Sequence, residues 1–252
     1  MAGHSKWHNI KRRKEAQDNK RAKMFTKYSK EIYAAVRESG DDPETNLRLR
    51  HALNKAKAAN MPNDNIERTI KKANGEAGSV EYEELTYEGY GPGGAAVMVK
   101  VLTENRNRTV AEVRQAFNKN GGNMGEDGCV SFMFDKRGFL EIADEDKELD
   151  EDELMLEAVE AGAEEFEMND GRAIVYTEPG HFEMVRNHLT EAGYEFEAAE
   201  VTMIPQTYTK LSDEHAEQMM KLIDQLEDDD DVQNVYHNFE LTEDQAEHFT
   251  PA

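Results

Sequence analysis

Hydrophobic positions recur with a helical period over the first 80 residues. Phe25, Tyr28, Ile32, Ala35 and Val36 stand at i, i+3, i+7, i+10 and i+11, on one face of a helix. Gly40 follows as its stop. Asp42-Pro43 reads as an N-cap and first-turn proline, opening a second helix with the stripe Leu49, Ala52, Leu53 and Ala56. Asn60 ends that helix. Pro62-Asn63 opens a third, carrying Ile66, Ile70 and Ala73 and closed by Gly75. Three short helices with short connections make a small bundle.

After Val80 the period changes to alternation. Glu83–Tyr90 and Ala96–Thr103 read as strands around the turn Gly91-Pro92-Gly93-Gly94, with Val97, Val99 and Val101 on one face. A helix follows over Thr109–Asn120 and a strand over Cys129–Asp135, which would bury the Cys129 thiol as a core side chain. The next stretch gives a strand at Gly138–Ile142 and an acidic helix at Asp152–Ala161. Strands at Glu165–Met168 and Arg172–Thr177 pair around Asn169-Asp170-Gly171. A helix at His181–Ala192 and a strand at Glu195–Met203 complete the order βαββαβ, the ferredoxin-like unit. The remaining helix (Asp213–Glu227) and strand (Val232–Phe239) are too small to stand alone. The expected class is therefore α+β multidomain, with a small basic three-helix domain (1–80) at the N-terminus. A parent α+β domain (81–135 and 207–240) carries an inserted ferredoxin-like α+β domain (136–206), and 241–252 is a tail.

Length agrees: 252 residues at ~100–150 per domain give two or three. The longest apolar run, Ala95 to Val99, is far short of the ~20 residues a membrane span needs, and Met1–Trp7 has no apolar signal core. A single cysteine excludes an internal disulfide scaffold. A cytoplasmic protein with no membrane partner is expected.

Charge sharpens the picture. The net −23 divides into +8 over residues 1–80, from 18 Lys+Arg against 10 Asp+Glu, and −31 beyond. Residues 1–30 hold ten basic side chains and two acids, Glu15 and Asp18. Lys11-Arg12-Arg13-Lys14 is a dense cluster, with Lys6 and Trp7 before it and Arg21 beyond. Lys20, Lys23, Lys27 and Lys30 recur at helical spacing, about 150° around the helix from the Phe25/Tyr28/Ile32/Val36 stripe. One helix would thus bury an apolar face and turn a lysine ridge outward. That pattern predicts a phosphate backbone as partner, with Trp7 free to stack on a base. About six phosphate contacts would give a slope of log K against log salt of about −4 to −5. The alternative is a basic tail kept for solubility.

Other chemistry is sparse. No histidine pairs with cysteine or carboxylate at a metal-ligand spacing, so neither metal nor cofactor is expected. Asp144–Glu153 lacks a calcium loop's central glycine, and Met155 stands at its twelfth position. Asp228–Asp231 reads as a charged helix end that could attract a basic partner. Tyr90-Gly91-Pro92-Gly93-Gly94 lacks the ending of a phosphate loop and precedes a strand. It is either a tight turn with Tyr87 and Tyr90 exposed beside it, or a backbone surface for a partner. Arg106 and Arg108 open a helix, where they could meet phosphate; equally, Asn107 could cap that helix while both arginines pair with acids. No catalytic residues are assigned.

Four stretches are specific: Met1-Ala2-Gly3-His4-Ser5-Lys6-Trp7, Tyr87 to Gly94, Asn105-Arg106-Asn107-Arg108-Thr109, and Asp231-Val232-Gln233-Asn234-Val235-Tyr236-His237-Asn238. Through them the whole chain resembles the YebC/PmpR family. The resemblance implies a basic helical N-terminal domain followed by two α+β domains, one inserted in the other. It further implies a cytoplasmic DNA-binding transcriptional regulator and no enzyme. Relatives of that family include a mitochondrial translational activator (of cytochrome oxidase subunit one) and bacterial factors assigned to ribosomes stalled at proline-rich stretches. The alternative expectation is therefore a ribosome-associated translation factor that contacts ribosomal or transfer RNA. A monomer is the expected state.

Overall fold

The computed structural model describes residues 17–75, 80–143, 150–169 and 171–249. Three helices come first: α1 (Gln17–Ser39), α2 (Leu47–Ala58) and α3 (Asn63–Asn74). Their core is Ile32, Tyr33, Ala35 and Val36 of α1 against Leu49, Ala52, Ala56, Met61, Ile66 and Ala73. Phe25 and Tyr28 pack on its edge. The predicted stripes are the buried ones.

The start of α2 differs from expectation. Asn46, not Asp42, is its cap, accepting from Leu49 N at 3.0 Å. The Asn46 amide also donates to the carbonyls of Ala35 (2.8 Å) and Gly40 (2.7 Å), so it joins two helices. Asp42 instead accepts from Glu44 N at 3.0 Å. An Asp-Pro pair suits a turn as well as a helix start, and the better-satisfied Asn46 decides between them.

Next come β1 (Glu83–Tyr90) and β2 (Ala96–Thr103), antiparallel around a short 3₁₀ turn at Pro92–Gly94. Then follow α4 (Arg106–Lys119) and the short β3 (Asn123–Met124). Of the predicted strand Cys129–Asp135, only Phe134 and Asp135 are extended, as the start of β4. A loop and a 3₁₀ turn (Ser131–Met133) precede β4, Phe134–Ala143. The cause is the Glu88 carboxylate, which accepts from Gly128 N (3.0 Å), Val130 N and Ser131 N (both 2.8 Å) and curls the segment. Cys129 is accordingly half-buried in a loop, and desolvation pushes its thiol up.

After β4 come α5 (Glu151–Glu160), β5 (Glu165–Asn169), β6 (Arg172–Thr177), α6 (Phe182–Glu191) and β7 (Ala198–Pro205). The chain then adds β8 (Thr209–Lys210), α7 (Asp213–Glu227), β9 (Val232–His237), β10 (Phe239–Glu240) and α8 (Glu243–Phe249). Residues 241–249 are thus no loose tail. Gln245 is buried, donating to Leu211 O at 2.9 Å and Asp213 Oδ1 at 2.8 Å. Ala246 and Phe249 of α8 pack on the core, but two apolar residues in so short a helix are too few for periodicity to signal it.

Compact packing divides the described residues into two units, one taking those from 17 to 131 and from 208 to 249, the other those within 132–207. In the first, the antiparallel sheet runs β3-β1-β2-β9. One sheet face meets α4 and α7: Val97, Val99 and Val101 pack with Val113, Phe117, Met219, Leu222, Ile223 and Leu226. In the second, the antiparallel order β5-β6-β4-β7 is that of a ferredoxin-like unit. Leu140, Ile142, Ala173 and Val175 meet Leu154, Ala158, Val185 and Leu189 of its two helices.

Candidate nucleic-acid interface

Of the positions nominated by sequence for nucleic acid, Lys6, Trp7, Lys11, Arg12, Arg13 and Lys14 lie outside the described residues. Lys20 and Arg21 fall within α1. Lys23, Lys27 and Lys30 share the α1 face expected to point outward, and here the structure differs. All three ammonium groups are engaged by the end of α7 and the acidic turn after it. Lys23 reaches Asp228 Oδ1 at 2.6 Å and its carbonyl at 3.3 Å. Lys27 donates to Glu227 O at 2.6 Å. Lys30 donates to Asp230 O at 2.8 Å and Asp231 Oδ1 at 2.6 Å.

The physical reason is that the last carbonyls of a helix lack intrahelical donors and carry the negative end of its dipole. α7 ends in Glu227-Asp228-Asp229-Asp230-Asp231 with no basic residue in its last turn. A row of lysines from another helix supplies both the donors and the charge. The acidic run at 228–231, expected as a charged helix end that could attract a basic partner, has that partner within the same chain.

Asp231 is the buried end of this contact, its side chain only 3% exposed. Besides Lys30, it accepts from Arg108 (2.7 Å), Thr109 (2.7 Å) and Thr103 (3.0 Å) at Oδ2. Burial alone would raise its pKa. Hydrogen bonds from Arg108, Lys30 and Thr109 outweigh that and hold it at about 2. Glu112 and Asp229 place oxygens within 4.8 Å of this carboxylate. Burial, then the charge of Asp229, pushes Glu112 up. Asp231 already takes four donors, so this cluster is a saturated ion network.

The two helix-opening arginines resolve in favour of pairing with acids. Arg108 binds Asp231, and Arg106 lies 3.5 Å from Glu83. The cap of α4 is Asn105, which accepts from Arg108 N at 3.1 Å, rather than Asn107. A second ionic contact joins the bundle to the sheet: Arg48 of α2 lies 2.7 Å from Glu84 of β1, which Lys100 also reaches at 2.7 Å. Burial would raise Glu84, but bonds and charge from Lys100 and Arg48 hold its carboxyl below the ordinary value.

The glycine-rich turn is seated on α7. Gly91 and Pro92 are buried and Gly93 and Gly94 exposed. A Cβ on Gly91 would meet Met219 Sδ at 2.6 Å. Gly93, at φ +68°, would press Leu211 Cδ2 at 2.6 Å, so both conformation and space demand glycine there. Tyr90 is 40% exposed and donates to Cys129 O at 3.0 Å, whereas Tyr87, expected at the surface, is buried. Apart from Gly93, Gly94 and Tyr90, this turn is structural packing.

The fold and charge distribution define a class: a cationic helical head fixed by ion pairs to the α+β module of its own unit, with a second, acidic α+β unit in the same chain. The chain belongs to the TACO1/YebC family. Residues 5–76 match the TACO1/YebC protein N-terminal domain and residues 82–239 the TACO1/YebC second and third domain. It is 58% identical over 240 residues to a probable transcriptional regulatory protein of Anoxybacillus flavithermus, covering 95% of this chain and 98% of the relative. It is 56% identical over 239 residues to the probable transcriptional regulatory protein YrbC of Bacillus subtilis, covering 95% and 99%. The crystal structure of the conserved hypothetical protein Aq1575 from Aquifex aeolicus superposes with a TM-score of 0.79 at 44% identity, covering 91% of this chain and 95% of that one. Among the described residues, no helix is long and apolar enough to cross a membrane.

Proposed function

We propose that the protein is a non-catalytic cytoplasmic regulator of gene expression that binds nucleic acid through the cationic segment leading into α1. One observation carries this. Residues 1–14 hold Lys6, Lys11, Arg12, Arg13 and Lys14 with no acid among them, in a chain of net charge −23. Lys23, Lys27 and Lys30 are committed to α7, which leaves the earlier cluster as the centre of phosphate contact. The naming of close relatives as probable transcriptional regulatory proteins supports DNA as the polyanion. The ribosome-associated reading, with relief of stalls at proline-rich stretches, uses the same cations and adds stacking by Trp7.

The test is fluorescence anisotropy of the full chain with a labelled DNA duplex and a labelled RNA hairpin, at several salt concentrations. The triple variant Lys11→Glu, Arg12→Glu, Arg13→Glu leaves Lys23, Lys27 and Lys30 in place and is expected to weaken binding at least tenfold with an unchanged melting curve. Equal binding by variant and parent overturns the reading. The tighter of the two probes decides between transcriptional and ribosomal action.

A further inference from the structure

The ferredoxin-like unit has a surface that the nucleic-acid reading leaves unused. Helix α5 is apolar on two sides. Leu154 and Ala158 fill the core, and Met155, Leu156 and Val159 stand in solvent at 43%, 58% and 57% exposure. A helix with apolar residues on more than its core stripe ordinarily buries the second face as well. At 100° per residue the exposed trio centres about 150° around the helix from Glu157. Glu157 bonds His188 of α6 at 2.6 Å, so the trio faces away from α6. α5 packs over β5, while α6 packs over β4 and β7. The trio therefore overhangs the β5 edge, where the strand pairs only with β6.

Charge says what fits there. Residues 132–207 hold 22 Asp+Glu against five Lys+Arg. Exposed Glu151, Asp152 and Glu160 flank the apolar trio on α5, and Glu165 and Glu167 lie on the neighbouring edge strand. An anionic membrane surface would be repelled by this rim. A second copy would bring a like-charged rim against it. A cationic helix with its own apolar stripe satisfies both parts, since its aliphatic side chains cover the trio at i, i+1 and i+4 while its lysines meet the acidic rim. We infer that the outer flank of α5 beside the β5 edge is a docking surface for a basic amphipathic helix of another protein. The inference stands on residues remote in sequence from the cationic head, so the two readings can fail separately.

The experiment titrates the full chain with a synthetic 18-residue Leu/Lys peptide of helical period, and with a scrambled peptide of identical composition. Binding is read by anisotropy and by NMR shifts of labelled methionine methyls. The periodic peptide is expected to bind at least tenfold more tightly than the scrambled one and to shift Met155. The variant Leu156→Ser, Val159→Ser is expected to lose that advantage while keeping the parent's melting curve. If the double substitution lowers the melting temperature, Leu156→Lys alone, at the most exposed of the three positions, gives the same readout. Equal binding of the two peptides, undiminished binding by a folded variant, or reversible self-association through this face in analytical ultracentrifugation would each overturn the inference.

Discussion

Replacing Asp231 by asparagine tests the contact between the helical head and the α+β sheet at its most buried point. The substitution keeps the shape and one oxygen acceptor but removes the charge that Lys30 (2.6 Å) and Arg108 (2.7 Å) share. Moving an aspartate from its ordinary 3.8 to about 2 corresponds to about 2 kcal/mol of stabilisation in the folded state. The Lys30 side chain is only 15% exposed, so leaving it without a counter-charge adds to that cost. The expected loss at pH 7 is about 2–4 kcal/mol, or roughly 4–12 °C in melting temperature for a unit of this size. The sign with pH follows from the depressed native value. The carboxylate's contribution is complete above about pH 4 and fades as pH falls toward 2. The gap between parent and variant should therefore narrow between pH 4 and pH 2. Calorimetry across that range is the assay, with Asp230→Asn as control, because Lys30 uses only the backbone carbonyl of Asp230. A variant melting within 2 °C of the parent at pH 7, with a gap unaffected by pH, would refute the assignment of Asp231 as the organising charge.

Glu88→Ala should cost about 3 kcal/mol by chemical denaturation, because three backbone N–H groups of the 128–131 loop lose their acceptor, and Glu88→Gln about half of that. Gly89→Ala would drive a Cβ to 2.5 Å from Asn123 O and 2.9 Å from Met124 Cα, so β3 should detach from β1 and amide exchange at Met124 should accelerate. Residues 132–207 expressed alone should give a dispersed amide spectrum. Their apolar core is self-contained, and Gln206 N meets Met133 O at 2.9 Å, which closes the ends of the unit.

The sequence made the helical stripes and the βαββαβ order legible because both depend on local period: Ile32 and Val36, or Val97 and Val99, sit where periodicity alone puts them. What it hid depends on distant partners. Asn46 outcompetes Asp42 as a cap through the carbonyls of Ala35 and Gly40, which no local pattern reveals. Most of the Cys129–Asp135 strand fails because Glu88, 42 residues before Val130, claims the backbone N–H groups a strand would have used. The lysine ridge was legible as a ridge, but its partner lies some 200 residues away, and one-dimensional charge counting cannot tell an outward face from an interface.

The lysine ladder also changes how this protein would respond to ionic strength. Any polyanion that seeks Lys23, Lys27 and Lys30 must evict carboxylates and carbonyls tethered to the same chain, at an effective concentration that a free ligand does not approach. Counterions released on association then come from cations outside the ladder, chiefly those ahead of it. The salt sensitivity of binding becomes a count of those alone, and a slope much steeper than they can supply would signal that the head has let go of α7.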